Sequence, residues 1–138
     1  MIFRPGRYFL GNFPRGTDLI IGIRDFCIQN GIRSAVFSLA GAVSSCTLGN
    51  YDQKQQVYVT FRKEEPLEIV NCKGNISKGP DGLHVQSQII LADLEGRLTG
   101  GCVFSETLLF TGELELQEII GPPLTRNYDR ETGRLLFT

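Results

Sequence analysis

Residues 16–43 read GTDLIIGIRDFCIQNGIRSAVFSLAGAV, and the change of pattern within this stretch decides the fold. Its first half repeats apolar residues at the 3.6-residue period of a helix that buries one face. Thr17 is a residue type that caps a helix start, and Asn30-Gly31 is a pair that commonly ends one. The sequence therefore predicts a helix from about 18 to 30. Its apolar positions are Leu19, Ile20, Ile23, Phe26 and Cys27.

The second half of that stretch and most of the later chain are typical of strands. Residues 34–43 form a continuous run of small and apolar residues, which predicts a strand buried on both faces. Two-residue alternation and β-branched runs predict further strands, separated by turns such as Gly79-Pro80-Asp81-Gly82. One main helix packed on a mostly antiparallel sheet of about six or seven strands is an α+β fold. The further strands are predicted at 57–62, 67–77, 84–93, 97–104 and 107–119.

Length and composition indicate one folded domain. The chain has 138 residues, of which 41% are hydrophobic and 21% charged, as in ordinary globular proteins. No apolar run approaches the roughly 20 residues that a membrane-spanning helix needs, so we expect no membrane association. We expect the domain to occupy residues 1–120, and residues 121–138, which follow Gly121-Pro122-Pro123, to form a C-terminal hairpin or arm.

The four cysteines do not form a redox or zinc motif. Cys27, Cys46, Cys72 and Cys102 lie 19, 26 and 30 residues apart, so no Cys-x-x-Cys pair exists. Residues 1–13 contain arginines, a proline and a glycine rather than the apolar core of a secretory signal. We therefore expect reduced, mostly buried thiols in a cytoplasmic protein.

A polar row on one strand is the main candidate for a ligand site. His84, Gln86 and Gln88 alternate along a predicted strand, so their side chains point the same way, about 6.6 Å apart. Such a row can hold a ligand or a metal beside a cleft, or it can be the solvated face of a sheet. Glutamine is a weak metal ligand, and we predict no metal and no cofactor. Cys102 and Glu113 are the other residues that we expect to line such a cleft.

Gly100-Gly101, directly before Cys102, is the second unusual stretch. Paired glycines within a strand mark a bulge or a close backbone approach, because they offer no side chain to pack. That approach could be to a ligand or to a neighbouring subunit, and a plain turn is the alternative.

Charge is unevenly distributed along the chain. Five arginines against two aspartates give residues 1–50 a net charge of +3, while the remainder carries −4 and the whole chain −1. Arg4, Arg7 and Arg15 are the candidates for phosphate contacts with DNA, and pairing with acidic side chains is the alternative. A catalytic triad would have to use the single histidine, His84, and no nucleophile motif is present, so we do not expect an enzyme.

Several short motifs, in this order and spacing, resemble the PPC (plants-and-prokaryotes conserved) domain over roughly residues 7–120. The motifs are GTDL at 16–19, NGI at 30–32, GAV at 41–43, TLGNYD at 47–52, LEIV at 67–70, GNIS at 74–77, LADLEGRLTGG at 91–101 and TGEL at 111–114.

The resemblance implies an antiparallel sheet with packed helices that assembles as a homotrimer. In plants the domain follows an AT-hook that binds A·T-rich DNA, and stand-alone prokaryotic members carry a DNA-binding label by that kinship. Family members often have three histidines where this chain has Gln86, Gln88 and Cys102, with His84 one strand period upstream. We thus expect a homotrimeric DNA-binding or interaction protein; the alternative is a small-molecule-binding or catalytic protein that uses this cluster.

Overall fold

The computed structural model describes all residues, Met1–Thr138, as one helix and nine strands. The helix is α1 (Leu19–Gln29). The strands are β1 (Arg4–Phe13), β2 (Ala35–Asp52), β3 (Val57–Lys63), β4 (Leu67–Gly79), β5 (Gly82–Ala92), β6 (Leu98–Val103), β7 (Leu108–Ile120), β8 (Arg126–Asp129) and β9 (Arg134–Phe137). The predicted α+β class is confirmed, with a mostly antiparallel sheet of seven strands. At 11 residues, α1 is too short to cross a bilayer, and the chain has no other helix.

The 18-residue strand β2 organises the sheet. The strand order is β1-β7-β2-β4-β5-β6, with β3 paired to β2 off this path. β2 also pairs with β6 through Leu48–Val103 and Gly49–Cys102, so β2, β4, β5 and β6 close into a small barrel. β2 changes register near Gly41, where a Cβ would lie 2.2 Å from the carbonyl oxygen of Thr111. Only glycine leaves room for that approach of two backbones.

The hydrophobic core lies between α1 and one face of the sheet. Leu19, Ile23 and Cys27 of α1 are fully buried there. We call the opposite face the outer face. One row of cross-strand neighbours on it, from β1 to β5, consists of Leu10, Glu115, Ser38, Lys73 and Gln88.

The prediction that residues 34–43 are buried on both faces is wrong for the isolated chain. Phe37 and Leu39 point into the core, whereas Val36 and Ser38 are exposed on the outer face. The segment is the start of β2. It pairs with β7 along one edge and with β4 along the other, but nothing in the chain packs on its outer face. The run of small side chains masked the alternation.

The helix begins where predicted, but with a different cap. Asp18, not Thr17, is the N-cap, and its carboxylate accepts hydrogen bonds from the amides of Ile20 and Ile21 at 3.1 and 3.2 Å. The other carboxylate oxygen accepts from the Glu106 amide at 2.6 Å, so the cap also fixes the β6–β7 connection. Thr17 instead donates to the carbonyl of Pro14.

Strand β1 was not predicted. It pairs antiparallel with β7 at the edge of the sheet, with a register shift between Pro5 and Tyr8. Proline is tolerated on an edge strand or at a bulge because its missing amide removes no interior ladder bond. Pro5-Gly6 interrupts the strand pattern in the sequence, so the sequence did not indicate this strand.

The C-terminal residues form a separate two-stranded sheet, β8–β9, that docks on β4 and β3 of the same chain. The Tyr51 hydroxyl donates to the carbonyl of Thr132 at 2.5 Å, and Gln56 donates to that of Glu131 at 3.0 Å. We call this element the C-terminal hairpin. A boundary at residue 120 between domain and extension stays a prediction.

Candidate functional site

The predicted polar row lies on the outer face of β5. His84 and Gln86 are half-buried and Gln88 is exposed, while Ser87 and Ile89, on either side of Gln88, are buried in the core. The two-residue alternation predicted for this strand is therefore present. His84 Nε2 and Gln86 Oε1 lie 3.1 Å apart, within hydrogen-bond distance.

Cys102 joins this row because β6 pairs antiparallel with β5, placing Cys102 opposite Gln88. The Gln86 side-chain amide donates to Cys102 Sγ at 3.5 Å. The Gln86 amide thus contacts the thiol through its nitrogen and the imidazole through its oxygen. Imidazole, amide and thiol thus form one hydrogen-bonded chain.

The Cys102 thiol is held in its neutral form. Burial raises its pKa, and this effect exceeds the opposing influences of the Gln86 hydrogen bond and the Arg134 charge. A thiolate, the form that attacks electrophiles or binds metals, is correspondingly disfavoured. All four cysteines are free, and Cys102 is the one that is not fully buried.

Gly100 and Gly101 allow the barrel to close. A Cβ on Gly100 would lie 2.6 Å from the carbonyl oxygen of Ile89, and one on Gly101 would lie 2.8 Å from that of Gly49. The paired glycines mark a close backbone approach rather than a plain turn. The approach is to β5 and β2 of the same chain, and not to a ligand or a neighbouring subunit as predicted.

The C-terminal hairpin covers the polar row and makes it the floor of a cleft. The cleft has a volume of about 1200 Å³ and is lined by His84, Gln86 and Cys102 from the sheet, Tyr58 from β3, and Arg126 and Arg134 from the hairpin. An adjoining cleft of about 620 Å³ shares Tyr58, Cys102 and Arg134 and includes Gln88. The sequence analysis missed Arg126, Arg134 and Tyr58, the first two of which are the hairpin arginines that line the cleft.

Arg126 is buried, with 9% of its surface exposed. Its guanidinium donates to the Leu135 carbonyl at 2.9 Å and to Asn75 Oδ1 at 3.0 Å, and stacks 3.9 Å above the Phe137 ring. Its Nε is buried without a hydrogen-bond partner. Burial, followed by the nearby charge of Arg134, lowers the pKa of this guanidinium.

Arg134 is more accessible than Arg126. One of its terminal nitrogens donates to the Tyr58 hydroxyl at 3.2 Å, and the guanidinium stacks against the Tyr51 ring at 4.8 Å. Neither hairpin arginine forms an ion pair with a carboxylate; every ion pair of the chain involves other residues.

Glu113 does not lie in the cleft. It is exposed on β7, paired with Asn12 of β1 and Ala40 of β2, and β2 and β4 separate β7 from β5. Of the five predicted ligand-binding residues, four therefore line the cleft: His84, Gln86, Gln88 and Cys102.

The three candidate nucleic-acid arginines are not grouped. Arg4 begins β1 and Arg15 follows its end, so about 30 Å of strand separates them. Arg7 is held by Glu118, with Nε and Nη2 contacting its two carboxylate oxygens at 2.9 and 3.0 Å. For Arg7, the alternative prediction of pairing with an acidic side chain is therefore the one that the structure shows, with Glu118 as the partner.

The fold and cleft define a class: a small α+β protein with a closed β-barrel segment and a hairpin-covered pocket. The family model of the Plants and Prokaryotes Conserved domain, abbreviated PCC or PPC, matches residues 2–120. The chain belongs to this family, as the resemblance predicted.

Solved structures agree with this assignment. The metal-containing protein AF0104 of Archaeoglobus fulgidus is 33% identical, with a TM-score of 0.94 over 99% of this chain and 96% of its own. A PPC protein of Pyrococcus horikoshii is 25% identical, with a TM-score of 0.92 over 97% and 93%. A Bacteroides thetaiotaomicron protein, whose name gives DNA binding as an unproven assignment, shares the fold at 21% identity, with a TM-score of 0.86 over 99% and 96%. No curated protein matches the chain.

The name of the Archaeoglobus protein raises the question of whether this chain could hold a metal. The donors here are one imidazole, amides and a thiol that burial keeps protonated. Gln86 uses both ends of its amide within the chain, toward His84 and Cys102. No three His, Cys, Asp or Glu side chains are grouped as a metal site would require. These residues do not fit a zinc-type centre, which needs thiolate, imidazole or carboxylate ligands.

Proposed function

We propose that this protein binds a small molecule in the cleft under the C-terminal hairpin and acts as a homotrimer in the cytoplasm. The observation that carries the proposal is the cleft itself. Its volume of about 1200 Å³ is somewhat above the roughly 300–1,000 Å³ of typical ligand pockets, and hydrogen-bonding side chains converge on its floor. An apolar wall with a few fixed polar groups is the usual construction of a binding site.

Retention of a ligand through purification tests this proposal. Native mass spectrometry of the intact protein should detect a bound small molecule, and His84→Ala or Gln86→Ala should reduce its occupancy. Gln55→Ala is the matched control, because Gln55 is an exposed residue outside both clefts. Full occupancy in both cleft variants would remove the polar row from the site.

Assembly is supported by the outer face of the sheet. Leu10 is 74% exposed and Val36 48% exposed on this face, and Tyr8 on β1 and Ile90 on β5 are also exposed there. Large apolar side chains exposed on one face of a sheet are a feature of interaction surfaces. Leu10→Glu should shift the protein toward monomer in analytical ultracentrifugation, whereas Ile28→Glu on exposed helix surface should not. A wild-type monomer at micromolar concentration would refute the trimer.

DNA binding is the competing function, favoured by the provisional names of two similar structures. A net charge of −1 and the separation of Arg4 from Arg15 give little phosphate neutralisation. A mobility shift on A·T-rich duplex that weakens steeply with salt would support the DNA function. We expect no such shift at physiological salt.

A further inference from the structure

The cleft under the C-terminal hairpin has a charge opposite to that of the whole chain. Its 25 lining residues include no aspartate and no glutamate, although the chain contains 15 acidic residues and has a net charge of −1. Lys73 on the sheet and Arg126 and Arg134 on the hairpin give this lining its positive charge. A concave site lined by one sign of charge concentrates ligands of the opposite sign.

The hairpin arginines are fixed in place but not neutralised. Asn75, the Leu135 carbonyl and the Tyr58 hydroxyl supply neutral acceptors for Arg126 and Arg134, and no carboxylate bonds to either. A buried charge is normally paired, because its removal from water is costly. Arg126 is buried with its Nε unsatisfied, and no carboxylate of the chain compensates the charges of Arg126 and Arg134.

The two arginines have different roles in contacting a ligand. Arg126 is buried and each of its terminal nitrogens already donates one hydrogen bond within the chain, so it contributes mainly its charge. Arg134 is half-buried and has one terminal nitrogen bound to Tyr58, which leaves its remaining donors for a ligand. Its stacking on the tyrosines orients the planar guanidinium, as carboxylate and phosphate recognition requires.

The rest of the cleft indicates what is attached to the anionic group. Gln86 and His84 form the polar floor, while Phe104, Leu135 and Leu136 provide apolar surface. A bare inorganic ion would leave most of the 1200 Å³ cleft unfilled.

We infer that the cleft binds a small organic anion, with its carboxylate or phosphate group on Arg134 in the field of Arg126 and its uncharged part over Gln86. This inference rests on the proposed ligand-binding function and deepens it by assigning the ligand class.

Pairs of probes that differ only in charge test the inference. We would titrate the full-length protein with succinate against succinamide, and with benzyl phosphate against benzyl alcohol, by calorimetry and by amide chemical shifts. At least one anion of the set should bind about tenfold more tightly than its neutral counterpart, a difference of about 1.4 kcal/mol. Shift changes should centre on the tyrosine side of the cleft, near Tyr58.

Arg134→Gln should weaken binding of that anion about tenfold, as expected on losing a charge-assisted hydrogen bond. Arg4→Gln is the matched control, since it removes the same charge from an exposed position outside the cleft and should leave binding unchanged. Arg134→Lys should restore part of the affinity, and equal melting temperatures would show that the variants fold alike.

The outcomes separate the two proposals. Equal binding of charged and neutral probes, equal effects of Arg134→Gln and Arg4→Gln, or no binding by any anion of the set would overturn the anion assignment. Binding of a neutral probe that depends on Gln86 would do so while leaving the ligand-binding function intact. Absence of any bound or co-purified molecule would overturn both.

Discussion

Arg126 Nη2 donates to Asn75 Oδ1 at 3.0 Å, and this bond joins the C-terminal hairpin to strand β4 across 51 residues of sequence. The backbone adds a second link, because the Lys78 amide donates to the Leu124 carbonyl at 2.9 Å. The cleft depends on this junction, since the hairpin forms one of its walls. The sheet supplies polar residues, and the hairpin supplies the two arginines that face them.

Asn75→Ala should loosen the hairpin. It removes one of two acceptors from a buried guanidinium, so we expect destabilisation by about 1–3 kcal/mol in denaturant titration. Hydrogen exchange should accelerate in residues 126–137 more than in the barrel strands. Asn12→Ala, at an exposed position of β1, should change neither quantity. Unchanged exchange in the hairpin would show that its other contacts, such as those of Tyr51 with Thr132 and Lys78 with Leu124, hold it without this bond.

The Cys102 thiol reports on the charge of Arg134. Burial raises the pKa of Cys102, and Arg134 partly offsets this by favouring the thiolate. Arg134→Gln should therefore raise the thiol pKa further and shift the pH profile of iodoacetamide alkylation to higher pH.

Alkylation can be followed residue by residue by mass spectrometry. Cys27 is the internal control, because burial raises its pKa to about 11 and its side chain lies on the buried face of α1. It should react more slowly than Cys102 in both proteins. An unchanged Cys102 profile in Arg134→Gln would mean that the Arg134 charge does not reach the thiol.

The Arg7–Glu118 pair should make stability depend on pH in the acid range. Hydrogen bonds from Arg7 hold the pKa of Glu118 below its ordinary value. A lowered folded-state pKa stabilises the protein fully above the unfolded-state pKa, about 4.3 for glutamate. That contribution is lost as pH falls from there through the lower folded-state value.

Denaturant titrations at several pH values would measure this dependence. Glu118→Gln should lower stability at neutral pH and flatten the acid decline, because the group no longer titrates. Glu64→Gln is the control, since its ion pair with Arg62 is largely exposed and contributes little. Parallel pH curves for wild type and Glu118→Gln would contradict the assignment.

The sequence predicted those parts of the fold that depend on local periodicity. α1 and the turn between β4 and β5 at Gly79–Gly82 appear where expected, because their signals lie within a few residues of one another. β1 was missed because Pro5-Gly6 interrupts it, and β2 was misread because its small side chains hide which face is covered.

The same distinction applies to the site. His84, Gln86 and Cys102 could be proposed from one strand and a neighbouring one, and the structure brings these three together. Arg126 and Arg134 reach them only through long-range docking of the hairpin, which no local pattern in residues 121–138 specifies. Glu113 was chosen without knowledge of the strand order, and that order places two strands, β2 and β4, between Glu113 on β7 and the polar row on β5.

Gly101→Ala should open the barrel. A Cβ at this position would lie 2.8 Å from the carbonyl oxygen of Gly49, where β6 meets β2. Because backbone rather than a flexible side chain is in the way, one strand must shift, and overpacking of this kind costs about 1–3 kcal/mol. Gly11→Ala is the matched control, since a Cβ there meets nothing within 4 Å.

Two measurements distinguish strand separation from general destabilisation. The melting temperature should fall for Gly101→Ala and remain near that of wild type for Gly11→Ala. Hydrogen exchange should rise at Leu48, Gly49 and Val103, which form the β2–β6 ladder. Equal stability of the two variants would mean that β2 and β6 are not in contact at Gly101, and the barrel closure would then be incorrect.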